Sequence, residues 1–320
     1  MLNIHKITVP TPYLVGPVNC YLIKNRPYTL VDPGPDTAEA KKALMEGLSA
    51  LGSTPADLER VVITHSHSDH SGLARWLSGQ TGVPVYVHRL ERHKLRADYE
   101  YYRERLPFLR EAGLPGEVLA EIFNDSDPLE RPVLTGPVKE AQGWETLGFD
   151  GGALRFLHLP GHSSGHICLF DPEQGNFLSG DFMLKKITPN PVMEADPAAP
   201  ERRLPVLSQY LDGLETLKKL DIRLIWPGHG QNIEKAMESI TRVIRHHQRR
   251  LEVISTILEE NSWSAFQVMR FLYPQIKGFQ IFLGLSEVFA HLDYLLERGR
   301  VNREDCGGIS FYRKARQSHP

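Results

Sequence analysis

Two rhythms of apolar residues alternate along the chain. Short β-branched and aromatic runs, "NCYLIK", "YTLVDPG", "RVVITH", "VPVYVH", "ALRFLHLPG", "HICLFD", "GNFLSGD" and "RLIWPGHG", mostly end on Gly, Pro, Asp or His and read as strands. Between several of them the apolar positions recur at intervals of three and four. "DTAEAKKALMEGLSALG" predicts a helix capped by Asp36, and "SGLARWLSGQTG" a second, shorter helix closed by glycine. Strands mixed with helices in this way predict an α/β fold of two sheets covered by helices.

The stretch from about Leu90 to Pro128 is charged and tyrosine-rich and keeps helical spacing, so it reads as a helical insertion. It is either a solvated helix pair on the surface or a lid over an active site. After "WPGHG" helices take over. Ile240, Val243, Ile244, His247, Leu251, Ile254, Ile257 and Leu258 mark one amphipathic helix. "SWSAFQVMRFLYP" predicts a helix capped by Ser262 and ended before Pro274, and "LSEVFAHLDYLLERG" one capped by Ser286 and stopped at Gly299. "GRVNRE" and "ISFYRK", joined by "DCGG", predict a hairpin. Three helices and a hairpin is the order of a winged-helix unit, which divides the chain into residues 1–238 and residues 239–320.

A chain of 320 residues can bury a large core and accommodates both units. Its net charge of −2 gives no overall field that would gather nucleic acid or an acidic membrane. The start, "LNIHKITVPTPYLVG", lacks a charged segment followed by an apolar one, and no eighteen apolar residues run together, so a soluble, unexported protein without a membrane partner is expected. Cys20, Cys168 and Cys306 have neither disulfide nor metal spacing and fit a reducing cytoplasm.

The chemistry concentrates in "VVITHSHSDHSG", residues 61–72, where a strand-like run leads into three histidines and an aspartate. Such residues are poor strand formers and costly to bury alone, so a metal ion is the first explanation. One tetrahedral ion cannot take all four from so short a segment, whereas two adjacent ions can divide them. Further ligands are then required. His162 in "LPGHSSGH", Asp181 in "FLSGDF" and His229 in "WPGHG" each stand at a strand end among glycines, which let the backbone approach an ion. A lone histidine beside glycine is usually a loop or core residue, and it is the ordered series that carries the signal. His166 and His88 read as structural histidines, and the His246–His247 pair as one core-facing and one solvated residue of a helix.

This series resembles the metallo-β-lactamase fold superfamily, whose H-x-H-x-D-H motif followed by separate His, Asp and His loops is met in full over roughly residues 1–235. The resemblance implies an αββα sandwich with a metal pair at one edge. It places His65, His67 and His162 on the first ion, Asp69, His70 and His229 on the second, and Asp181 between them. Asp32 of "LVDPG" matches the family's early strand-end aspartate and is expected, with His166, to hold the ligands from behind. A nitrogen and oxygen donor set suits two Zn(II), with Fe(II) or Mn(II) as alternatives. Two such ions could share a water and supply hydroxide at neutral pH, with Asp69 orienting it and receiving its proton.

Within the superfamily, His70 and Asp181 stand where the best-known β-lactamases carry Arg and Cys, and His67 where flavodiiron reductases carry Glu. Glyoxalase II enzymes share the seven ligands but end differently. The order of elements is similar to the lactamase-β-2-like branch, whose members include a single-strand endoribonuclease and thioesterases. The resulting expectation is a dinuclear hydrolase of a small ester, thioester or lactone, with Tyr99, Tyr102 and Lys185 as substrate contacts. Alternatives are an endoribonuclease acting on single-stranded RNA and a mononuclear iron dioxygenase. From residue 241 onward 12 Lys plus Arg stand against 8 Asp plus Glu, a bias too small to favour nucleic acid over a small-molecule partner. Winged helices also serve as dimer modules, which leaves a homo-oligomer open.

Overall fold

The computed structural model describes residues 1–124 and 133–315. The predicted end of the insertion, residues 125–128, lies outside the described residues.

Six strands form the first sheet in chain order: β1 (Ile4–Val9), β2 (Val18–Ile23), β3 (Thr29–Val31), β4 (Arg60–Val62), β5 (Val85–His88) and β6 (Val138–Ala141). The first three run antiparallel, and β3 to β6 run parallel. Helices α1 (Ala38–Ala50), α2 (Ser68–Ser71) and α3 (Ala74–Thr81) follow β3 and β4. Between β5 and β6 the chain inserts α4 (Arg89–Arg92), α5 (Leu106–Glu111) and α6 (Gly116–Asn124). The cap of α1 is Thr37 rather than Asp36, because Thr37 Oγ1 accepts from Ala40 N at 3.1 Å.

The second sheet comprises β7 (Thr146–Phe149), β8 (Gly152–His158), β9 (Ile167–Phe170) and β10 (Asn176–Gly180). A small ribbon, β11 (Ala195–Asp196) and β12 (Ala199–Arg203), comes next, and then β13 (Leu224–Pro227) completes the sheet beside β10. Helices α7 (Val206–Leu217) and α8 (Ala236–Ile257) flank β13 in the chain.

Strand alternation builds the layers. In β2, Tyr21 and Ile23 join Val62, Phe156, Leu169 and Leu178 between the sheets, while Cys20 and Leu22 join Leu44, Leu48 and Leu77 under α1 and α3. In β9, Cys168 and Phe170 turn the other way and pack with Tyr210, Leu214 and Ile240 under α7 and α8. The outcome is helix, sheet, sheet, helix, with β2 buried throughout because both its faces are covered.

A three-stranded sheet of β14 (Trp263–Ser264), β15 (Val301–Cys306) and β16 (Ile309–Lys314), with β16 central, accompanies α8, α9 (Ala265–Leu272) and α10 (Phe279–Glu297). The hairpin turns at Gly307–Gly308, within the expected segment. Two caps differ from expectation. Ser264, not Ser262, caps α9, in a reciprocal box with Gln267. Ser286 caps nothing and is buried inside α10, which starts after Gly278. By length and composition α10 is apolar enough to cross a membrane, at a mean hydropathy of 1.2, yet 61% of that stretch is buried within the protein.

The insertion is not a solvated helix pair. Phe108, Leu109, Ala112 and Ile122 share one core with Val268, Met269, Phe282, Phe289 and Tyr312 of the C-terminal elements. Burying Phe108, Leu109 and Ile122 contributes about 1.5–3 kcal/mol each, so exposing the insertion would cost several. Polar ties reinforce it: Arg203 bonds Glu111 of α5 and Asp293 of α10 at 2.8 Å each, and Glu121 accepts from Gly278 N at 2.8 Å.

His247 is buried and His246 half-exposed, as the helical spacing anticipated. His291 Nδ1 donates to Glu287 O, leaving its Nε2 to accept from His247 Nδ1 at 3.2 Å. Burial pushes both imidazoles down to about 3. Unfolded, each would titrate near about 6.5, so between those values the unfolded chain binds more protons and stability rises with pH. This contribution is complete above about pH 6.5 and falls away toward pH 3, at up to about 1.4 kcal/mol per pH unit for each histidine. Urea unfolding at about pH 7.5 and about pH 5 is expected to show it, with a smaller difference in the His247→Gln/His291→Gln variant.

Candidate metal centre

Strand direction gathers the site. Asp32 follows β3 and "HSHSDH" follows β4, parallel neighbours in the first sheet. In the second sheet β10 and β13 are parallel, and β8 points the same way because β9 is antiparallel to both β8 and β10. His162, Asp181 and His229 lie just past the carboxyl ends of these three strands. The two sheets are tied at this rim by Asn19 N donating to Gly228 O, and within the second sheet Gly228 N donates to Gly180 O, both at 2.7 Å. A Cβ on Gly228 would stand 2.3 Å from Asp181 Oδ1, and one on Gly180, at φ +48°, 2.7 Å from Thr64 Oγ1. Only glycine permits that approach.

All seven predicted ligand residues meet there. His65, His67 and His162 form one group of converging donors, Asp69, His70 and His229 a second, and His65, His70 and Asp181 join them. Nδ1 of His67 lies 2.8 Å from His65 Nε2 and 3.1 Å from His162 Nε2. Across the site Asp69 Oδ2 is 3.3 Å from His229 Nε2 and 3.9 Å from His70 Nε2. Asp181 faces both groups: its Oδ1 is 3.4 Å from His70 Nε2, and its Oδ2 is 3.6 Å from His229 Nε2 and 3.9 Å from His162 Nε2. Tetrahedral ligation at about 2.0–2.1 Å places neighbouring donors about 3.3 Å apart, close to these spacings.

The outer nitrogens fix which way the lone pairs point. His162 Nδ1 donates to Asn190 O at 2.9 Å and His229 Nδ1 to Gly16 O and Pro17 O at 3.0 Å, so the Nε2 lone pair of each faces inward. His70 Nδ1 donates to Asp32 Oδ2 at 2.9 Å. Asp32, held at φ +53°, also accepts from Thr64 N and Thr64 Oγ1, each at 2.8 Å. Thr64 Oγ1 is thereby left to accept from His65 Nδ1 at 3.0 Å. His166 stacks on His65, and its Nε2 accepts from Asp181 N at 3.2 Å. His70 Nε2, Asp181 Oδ1 and His229 Nε2 are buried without a good hydrogen bond. Orphaned inward atoms of this type are costly unless a cation takes them, and the donor set suits a divalent metal.

The side chains set opposing electrostatics in the two groups. Burial, reinforced by neighbouring imidazoles, pushes His65 far down and His67 to about 3. Burial also works against charge on His70 and His229, but Asp181 and its neighbours outweigh it and hold both up. For Asp181 and Asp69, burial is outweighed by the facing histidines, which keep both carboxyls below the usual range.

One buried cluster carries no signal legible in the sequence. Glu91 Oε2 accepts from Ser66 N at 3.0 Å and Ser66 Oγ at 2.5 Å, and Glu91 Oε1 from Gly165 N at 2.7 Å. Lys94 Nζ donates to Glu91 at 2.8 Å, to Ser164 Oγ at 3.1 Å and to both Glu194 oxygens at 2.8 and 2.7 Å. Glu91 and Lys94 have the spacing of an ordinary surface pair, and Glu194 is 100 residues away in sequence. The predicted substrate contacts lie elsewhere than among the ligands. Tyr99 is buried with its hydroxyl between Glu104 and Arg105, Tyr102 packs on Phe123 and Phe282, and Lys185 is exposed and donates to Gln231 Oε1 at 3.0 Å.

Comparison with known proteins agrees with this geometry. A Bacillus subtilis protein named "Probable metallo-hydrolase YqjP" is 33% identical over 302 residues, 90% of this chain and 91% of its own. The crystal structure of a metallo-beta-lactamase family protein from Thermus thermophilus superposes with a TM-score of 0.81 at 29% identity, covering 97% of this chain and 98% of that one. An "Atrochrysone carboxyl ACP thioesterase" of Aspergillus fumigatus is 25% identical over 223 residues, 69% of this chain and 53% of that longer protein. The family model of the metallo-beta-lactamase superfamily matches residues 13–229, which spans all seven candidate ligands. The chain therefore belongs to the metallo-beta-lactamase superfamily, as a metallo-hydrolase built on its four-layered fold.

Proposed function

We propose that this protein is a dinuclear zinc hydrolase of a small ester, thioester or lactone. The observation that carries the reading is the pair of donor groups facing one another across Asp181. When bound, the two cations supply a nucleophilic water at neutral pH and polarise the scissile carbonyl. The chain's residues do the rest. Asp69, kept ionised by His70 and His229, orients the attacking water and accepts its proton. Asp32 and the Gly16, Pro17 and Asn190 carbonyls hold the imidazole rings in one tautomer. Lys185, bonded to Gln231 two residues past His229, is the proposed substrate contact. The thioesterase among the relatives supports an acyl substrate.

In this reading residues 1–238 form the metal-binding unit and residues 239–320 a winged-helix-like unit, supported by the helix, strand, helix, helix, hairpin order. The free cysteines support a cytoplasmic location. A second reading, a nuclease for single-stranded RNA, draws on the open face of α8 that carries Arg242, Arg245 and Arg249 beside Glu238. Arg242 donates to Lys185 O at 2.8 Å, which links that face to the loop after Asp181.

A panel of p-nitrophenyl esters, acyl-coenzyme A thioesters, lactones and single-stranded RNA, assayed between about 50 and 200 mM salt, separates the two. An acyl substrate turned over at a rate that salt barely alters is the expected result. Cleavage of RNA alone, falling steeply as salt rises, would establish the second reading.

A further inference from the structure

Two parts of the chain that supply no ligand reach the metal centre from behind, and both reach the same half of it. Glu91, on α4 in the insertion, bonds Ser66, which lies between His65 and His67, and Gly165, three residues past His162. Asn190 accepts from His162 Nδ1 through its backbone oxygen, while its side-chain Nδ2 donates to Leu283 O of α10 at 2.9 Å. Asn190 and Glu194 bracket Val192 and Met193, which are buried in the core shared by the insertion and the C-terminal elements. Arg105 Nε donates to Met193 O at 3.0 Å and fixes the same segment from the insertion side. Neither Glu91 nor Asn190 touches the other half: His70 is held by Asp32, which through Thr64 also reaches His65, and His229 by the carbonyls of Gly16 and Pro17, all from the first sheet and its loops.

We propose that the insertion and the C-terminal elements, joined through their shared core, form a clamp that sets the geometry of the His65, His67, His162 group through Glu91 and Asn190, leaving the Asp69, His70, His229 group independent. This rests on the two-ion reading above. Glu91 is a positioning residue and Asn190 its counterpart on the C-terminal side. A carboxylate is needed at Glu91 because its two oxygens accept from two different loops while also meeting Lys94, and an amide presents one acceptor and one donor. Glu91→Gln is compatible with folding, because Lys94 keeps its ion pair with Glu194 and the cluster passes from one net negative charge to none. Asn190→Ala removes the tie to α10 while leaving the backbone oxygen for His162.

The test measures Zn(II) dissociation constants by chelator competition for Glu91→Gln and Asn190→Ala, each introduced into two backgrounds. In His229→Ala the first group remains complete, and in His67→Ala the second does. Each substitution is expected to weaken zinc binding by about 10- to 100-fold in the His229→Ala background, and by less than about twofold in the His67→Ala background. Equal weakening in both backgrounds, or weakening in neither, would overturn the clamp. A parent protein that binds fewer than two Zn(II) would overturn the two-ion reading instead.

Discussion

Asp181→Ala is expected to lower turnover by about 10³-fold or more and to deplete bound metal, while the variant still unfolds cooperatively in urea. Asp181 is the carboxylate that faces both donor groups, one oxygen toward His70 and the other toward His162 and His229. On the proposed two-ion reading, removing it deprives both ions of a ligand at once. It also removes the anion that balances His70 and His229, so those imidazoles keep less of their raised proton affinity. The fold should survive, because Asp181 lies past the end of β10 and the sheets are closed by the Asn19, Gly228 and Gly180 backbone bonds beside it. Turnover on the best acyl substrate, metal content by mass spectrometry and a urea titration give the three readouts. Undiminished turnover would remove Asp181 from its assigned place.

Lys94→Met is expected to cost about 3–5 kcal/mol of stability. The ammonium is buried and neutralises part of two buried carboxylates, Glu91 and Glu194, both held below their usual range by it. Methionine fills the same volume without charge and leaves two buried carboxylates together with no cation, Glu91 keeping only its neutral donors Ser66 and Gly165. The urea midpoint measures the loss, and converting both glutamates to glutamine in the same variant should recover part of it. A midpoint within about 0.5 kcal/mol of the parent would show that the cluster is better solvated than its burial indicates.

The seven converging candidate ligands were legible because their pattern is local: four of the seven fall within "HSHSDH", and the others carry their own glycine frames. Two-sided burial made the central strands readable as apolar runs, whereas β1, with Lys6 and Thr8 exposed, lacked such a run and was missed. So were β6 and β7, which are short and carry few apolar residues. Helix starts were displaced wherever two capping residues lay close together, as with Asp36 and Thr37 or Ser262 and Ser264, since only the tertiary position of the side-chain oxygen chooses between them. Ser286 misled for another reason: the apolar run before it, "FQIFLGL", is already helix, buried against α9 and the insertion. Glu91, Lys94 and Glu194 were illegible in principle, because a buried ion cluster assembled from distant segments looks in sequence like three ordinary surface charges.

The most direct test of the central claim is the metal content of the purified protein, followed through exhaustive chelation and reconstitution with Zn(II) while turnover is monitored. The paired donor groups predict two divalent ions per chain, with turnover lost as they leave and regained as they return. A chain that binds no metal, or that stays fully active after chelation, would contradict the account.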